Sequence, residues 1–131
     1  MSVQRVGCEA EAVTVRRATV QTDRDVNGRY RWSLKAPNGR IVAISAPVYE
    51  TAVRAFQGFE QLCSDSGDLV ARITHVQGGI GWTWAVPGPD GVPSACSQRA
   101  YERYATCQNA FRRVRLLLNQ PELIQRVGPH G

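Results

Sequence analysis

A chain of 131 residues has room for one domain and one core. Its 43% hydrophobic and 21% charged content is that of a soluble globular protein and not of a disordered one, and no apolar run reaches the length of a membrane span. The formal charge of +5 comes from 15 arginines and a single lysine, Lys35, against 11 acids. Such an excess invites an anionic partner, although an arginine-rich, alanine- and valine-rich composition is also what a GC-rich coding sequence produces.

Residues 1–12 are polar and without period, and are expected to form a flexible N-terminal segment. They contain no apolar core of the signal-peptide type, so the expectation is a cytoplasmic protein. The four cysteines, Cys8, Cys63, Cys96 and Cys107, form no C-x-x-C pair and match no zinc spacing. In a reducing cytosol they read as small, half-buried thiols. No metal and no cofactor is expected.

Val13 to Asp23 is rich in β-branched residues and predicts a strand. Asp23 to Gly28 is a turn, with Asn27-Gly28 the strongest local signal. From Tyr30 to Ala36 the chain alternates, with Tyr30, Trp32 and Leu34 on one face and Arg31, Ser33 and Lys35 on the other. Pro37-Asn38-Gly39 makes a tight hairpin turn and Ile41 to Ser45 returns as a third strand. Pro47 stops it. Tyr49 to Cys63 then has helical spacing, with Ala52, Ala55, Phe56, Phe59 and Cys63 on one face and Gly67 as the expected C-terminal stop. Leu69 to Val76 predicts a further strand.

After Gly78-Gly79 the order returns. Trp82 to Val86 alternates, Pro87 to Gly91 turns, and Pro93 to Ser97 is a short strand whose proline marks an edge or a start. Arg99 to Asn119 predicts a second helix with Tyr104, Cys107, Phe111, Val114 and Leu118 inward, ended by Pro121. Leu123 to Val127 closes the chain, and residues 128–131 are a tail.

The return is close enough to align without a gap at an offset of 52 residues. Tyr30 falls on Trp82, Trp32 on Trp84, Asn38 on Asp90, Gly39 on Gly91, Tyr49 on Tyr101 and Phe59 on Phe111. Leu69 to Ile73 (LVARI) matches Leu123 to Val127 (LIQRV) at an offset of 54. The pattern is an internal duplication. It predicts a single domain over residues 13–127, built from two repeats of about 13–68 and 69–127. A unit of about 50 residues buries its own core poorly, and two units sharing a sheet do better.

The motif aromatic-x-aromatic-x-Leu-Lys-Ala-x-Asn-Gly, followed by a strand, Tyr49, Gly58, Phe59 and Leu62, resembles the YegP-like family. The second copy keeps Trp82, Trp84, Asp90, Gly91, Tyr101, Phe111 and Val114, and departs at Pro87, Gly88 and Ala110. The resemblance spans about Ala18 to Val127. It implies an α+β fold, with two tandem β-β-β-α-β repeats forming one antiparallel sheet and two helices packed on one face. It also implies exchanged C-terminal strands, made within a monomer or between the chains of a homodimer. It carries no enzymatic activity to transfer.

The chemistry of the residues agrees with a non-enzyme. His75 stands alone in a strand and His130 in the tail, with none of the neighbours a general base needs. Gly78-Gly79-x-Gly81 lacks the Lys-Ser/Thr of a phosphate loop and precedes a strand. Glu50 and Glu102 read as carboxylates in a first helical turn. Tyr30, Trp32, Trp82 and Trp84 supply a core by alternation, or, facing outward, a stacking platform for single-stranded nucleic acid. On the opposite sheet face Arg31 and Lys35 are joined by Arg72 and Arg126. That face is either a solvated one that discourages edge pairing or an anion-binding one. Glu50 to Asp68 has four acids and one arginine, while Arg99 to Arg126 has six arginines and two acids. The second helix thus presents Arg103, Arg112, Arg113 and Arg115. The expected function is that of a small accessory or interaction protein, with a protein partner or itself. The alternative is a weak nucleic-acid binder using these arginines or the open face.

Overall fold

The computed structural model describes residues 17–89 and 91–128. The start of the first predicted strand, Cys8, Asp90 and most of the tail lie outside the described residues. Within them β1 (Ala18–Arg24), β2 (Tyr30–Lys35) and β3 (Ile41–Ser45) form an antiparallel meander. It is followed by α1 (Ala52–Ser64), a 3-10 turn at Ser66–Asp68, β4 (Arg72–His75), β5 (Trp82–Val86) and β6 (Ala95–Cys96). Then come α2 (Tyr104–Leu118), a second 3-10 turn at Pro121–Leu123, and β7 (Ile124–Val127). The seven strands make one sheet in the order β4-β5-β6-β3-β2-β1-β7. No helix of the described residues is long and apolar enough to cross a membrane.

The predicted α+β architecture is present, with one correction. The sheet is not wholly antiparallel, because β7 runs parallel to β1 with Ala18 opposite Ile124 and Val20 opposite Arg126. Topology explains this. After α1 the chain crosses to the far edge of the second half as β4, and after α2 it crosses back to the far edge of the first half as β7. The exchange of C-terminal strands is made within one chain.

Alternation sets the buried face. Trp32 and Leu34 of β2 and Trp84 and Val86 of β5 are buried under the helices. Trp32 meets Phe59 of α1 edge-on at 5.1 Å between ring centroids, and Trp84 meets Phe111 of α2 at 5.2 Å. Each buried tryptophan removes on the order of 200 Å² from water, which at ~25 cal/mol per Å² is about 5 kcal/mol of transfer free energy. The two tryptophans are therefore core, and the stacking-platform reading fails for them. Tyr30 and Trp82, nearer the strand starts, are only half-buried.

Both helices start later than their periodicity suggests. Tyr49 is bridged to Tyr30, and Tyr101 to Trp82, so each tyrosine is held in an extended segment beside the sheet. α1 starts after Thr51, whose hydroxyl accepts the Arg54 N–H at 3.1 Å. Glu50 and Glu102 are accordingly outside the helices and not in their first turns. Gly67 is not the helix stop either. Asp65 caps α1 with its backbone N–H, and Gly67 sits inside the following 3-10 turn. Tyr104, expected inward, is 48% exposed.

Candidate functional site

Two backbone clamps fix the geometry around each helix start. Tyr30 and Tyr49 exchange N–H···O bonds of 2.8 Å, and Trp82 and Tyr101 do the same at 2.7 and 2.8 Å. Deeper in, the buried Ser45 hydroxyl accepts the Trp32 N–H and the Ser97 hydroxyl accepts the Trp84 N–H, both at 3.2 Å. A serine in this place satisfies a backbone donor that the sheet leaves unpaired, and such a donor is costly if abandoned. The second clamp holds residues 99–103 against the sheet beside the hairpin of the first half.

That juxtaposition builds a groove of about 270 Å³ between the β2–β3 hairpin and α2, lined among others by Asn38, Arg40, Arg99, Tyr101, Asn109 and Arg113. The hairpin turn positions its side. Gly39 takes the positive φ of +86° that the turn requires, and the Asn38 side-chain oxygen accepts the Arg40 N–H at 2.9 Å. On the other side the Arg99 guanidinium lies over the Tyr101 ring, 5.3 Å from its centroid. Burial pushes the Tyr101 hydroxyl above its usual pKa, with Arg99 opposing, so the phenol stays a donor through neutral pH. A neighbouring hollow of about 420 Å³ shares Arg99, Tyr101 and Thr106 and adds Arg103 and the carboxylate of Glu102. Three guanidiniums, a phenol and two amides around one groove can hold an oxyanion such as a carboxylate or phosphate.

The structure separates the arginines that the sequence grouped. Arg31 and Lys35 lie on the sheet face away from the helices. Between them Ser33 is buried and its hydroxyl has no hydrogen-bond partner among the described residues. Arg72 stands opposite Ala85, one residue from the buried Trp84 pair, so it is on that same open face. Arg126 is not. It stands opposite the buried Val20, pairs with Glu60 of α1 and lies over the Phe56 ring at 5.2 Å. The placing of Arg126 on the open face is therefore corrected: β7 runs parallel along β1 in a register that turns this side chain under α1. Arg115 is also committed elsewhere, donating to the Ser66 and Gly67 carbonyls at 3.2 and 2.9 Å. Arg103 precedes α2 at its N-cap and Arg112 is exposed on its flank. Arg113 alone of the helix arginines reaches the groove with Arg40 and Arg99. Sequence reasoning missed Arg40 and Arg99, since only the β3–β6 pairing brings the first hairpin beside the second helix.

Burial raises the pKa of the three thiols of the described residues. Burial pushes Cys63 up to about 11, and it raises Cys107 as well. Cys96 is raised by burial, with Arg31 opposing. A thiol held protonated is a poor nucleophile.

Comparison with known proteins bears on the fold. The family model described as a domain of unknown function, DUF1508, matches residues 25–66, which hold the first turn, β2, β3 and α1. Two solved structures share the fold. The protein of unknown function yegP from E. coli is 13% identical, with 90% of this chain and 99% of that chain covered at a TM-score of 0.70. A UPF0339 protein from Shewanella oneidensis is 16% identical, with 86% and 92% covered at a TM-score of 0.67. No curated protein matches the sequence. The resemblance to the YegP-like family is borne out, and at these identities the structural likeness speaks for the fold.

Proposed function

We propose that this chain, with its YegP-like fold, is a non-enzymatic interaction protein that receives an anionic group of a partner in the groove between the β2–β3 hairpin and α2. The convergence of Arg40, Arg99 and Arg113 around Tyr101 carries the reading. These residues come from three separate places in the chain, and like charges gather at a cost unless an anion offsets them.

A second reading, weak nucleic-acid binding, is favoured by the way the two hollows join through Arg99 and continue to Arg103. Two arginines along one run suit a phosphate backbone, although the Glu102 carboxylate between them opposes an anion. Titration with labelled polyglutamate and with a mixed-sequence single-stranded oligonucleotide, each at two salt concentrations, separates the readings. Binding of polyglutamate alone, lost in the Arg40→Glu, Arg113→Glu double variant, supports the protein partner. Binding of the oligonucleotide that collapses steeply with salt supports the nucleic acid. If neither binds at low salt, the positive charge is compositional and the proposal falls.

A further inference from the structure

The two edges of the sheet are built alike but finished differently. At one edge β1 pairs with β2, and β7 covers β1 as an outer parallel strand under α1. At the other edge β4 pairs with β5 in the same antiparallel sense, under α2, and no strand of the described residues covers it. The registers make the comparison exact at the residue level. Trp32 stands opposite Thr22 and Trp84 opposite Ile73, so the β4 segment matches β1 at an offset of 51. Leu69 then corresponds to Ala18 and Ala71 to Val20, the two residues that β7 covers with Ile124 and Arg126.

Beside Leu69 and Ala71 there is a hollow of about 240 Å³, walled by Ile73, Phe111 and Arg112. It is the place a second β7 would fill. Apolar side chains here stay in water: Val70 of its wall is 69% exposed, and Leu116, which lines the adjoining hollow with Arg112 and Arg115 and whose counterpart is Ser64, is 63% exposed. An edge strand with unpaired backbone groups and an apolar rim is a template for strand addition.

The walls differ in charge, and this selects the occupant. In the filled slot the helix offers Glu60, which pairs with Arg126 of β7. In the open slot the corresponding helix residue is Arg112. We infer that the β4 edge takes an extended segment of a partner protein, added parallel to β4, with an apolar residue beside Leu69 and an acid two residues later facing Arg112. A second copy's β7 is disfavoured there, because its Arg126 would meet Arg112. This site is distinct from the Arg40–Arg99–Arg113 groove, since Arg112 and Arg113 leave α2 on different sides.

The test uses a fluorescein-labelled heptapeptide of β-branched residues carrying Ile-Thr-Glu at its centre, and the same peptide with Arg in place of Glu. Anisotropy is measured against the full chain and against Arg112→Glu. The Glu peptide binds the native chain about two- to fivefold more tightly than the Arg peptide, the weight of one exposed charge pair, and Arg112→Glu reverses the preference. Amide signals of Val70 to Thr74 move on binding. Equal binding of the two peptides, a preference unchanged in Arg112→Glu, or shifts at Arg40 and Arg99 in place of β4 would overturn the assignment. So would a concentration-dependent dimer that protects the β4 amides, since the edge then belongs to a second copy. Failure here leaves the polyglutamate test of the groove standing, because that test reads Arg40 and Arg113.

Discussion

Gly58 lies in the middle of α1, where alanine is normally the better residue by about 1 kcal/mol. Here the substitution has the opposite sign. A Cβ at Gly58 would collide with the Tyr49 hydroxyl and stand 2.7 Å from its Cζ and 3.0 Å from its Cε1. The Tyr49 backbone is clamped to Tyr30 by two bonds of 2.8 Å and cannot retreat, so the ring must swing out. A half-buried tyrosine that gives up roughly 100 Å² of apolar contact loses about 2.5 kcal/mol. Set against the helix gain, Gly58→Ala destabilises by about 1.5 kcal/mol, within the range of overpacked sites. Urea unfolding followed by tryptophan fluorescence measures it. The control is the same change in a Tyr49→Ala background, where the obstacle is gone and alanine stabilises by about 1 kcal/mol. The second half supplies the reverse experiment. Ala110 occupies the matching position, so Ala110→Gly there costs about 1 kcal/mol with nothing regained. A Gly58→Ala variant that is more stable than the native chain would refute the reasoning.

Ser45→Ala and Ser97→Ala each leave a buried backbone N–H without its acceptor, and each lowers stability by ~1–3 kcal/mol in the same unfolding assay. Gly88→Ala costs more than Gly58→Ala, because the added Cβ meets the Val92 carbonyl and lies 3.3 Å from its carbon, and backbone cannot swing away; circular dichroism melting orders the two variants. Stability falls as pH rises from about 9 to 11. Cys63 ionises near 9.0 when unfolded and at about 11 when folded, so over that window the unfolded chain has released a proton that the folded chain still holds. Cys63→Ala flattens this limb of the pH profile. Maleimide labelling of the native protein at Cys63 stays slow until the same alkaline range.

Much of the fold was legible because the signals were local. Alternation at Tyr30 to Lys35 and at Trp82 to Val86 marked strands and named their buried faces. The spacing of Phe59 and Phe111 marked the helix faces that meet them. What failed depended on contacts distant in sequence. Tyr49 and Tyr101 extend the helical period backwards, yet their backbone groups bond to β2 and β5, and that competition ends each helix early. The four residues of β7 carry no mark of direction, so the parallel pairing with β1 was not readable. The matching of Arg72 with Arg126 suggested one shared face. Their neighbours in the sheet, Ala85 and Val20, put them on opposite faces. The arginines of the groove were invisible as a group, because Arg40 and Arg99 become neighbours only through a two-residue ladder between β3 and β6.

The two halves differ where divergence is affordable, and that pattern bears on function. Residues that join backbone to backbone or ring to ring keep their chemistry: Ser45 and Ser97, Trp32 and Trp84, Phe59 and Phe111. Residues that face a helix flank do not. Where the first helix has Gly58 against the Tyr49 ring the second has Ala110, and where it has Glu60 paired with Arg126 the second has Arg112. In a symmetric pair of halves each helix would cover its own crossing strand with the same charge. Among the described residues β7 covers β1 under α1, while β4 is the outermost strand of its edge under α2. The flank of α2 carries Arg112 where that of α1 carries Glu60. Arg112 beside the outermost described strand, β4, is the feature on which the proposed acidic occupant of that edge rests.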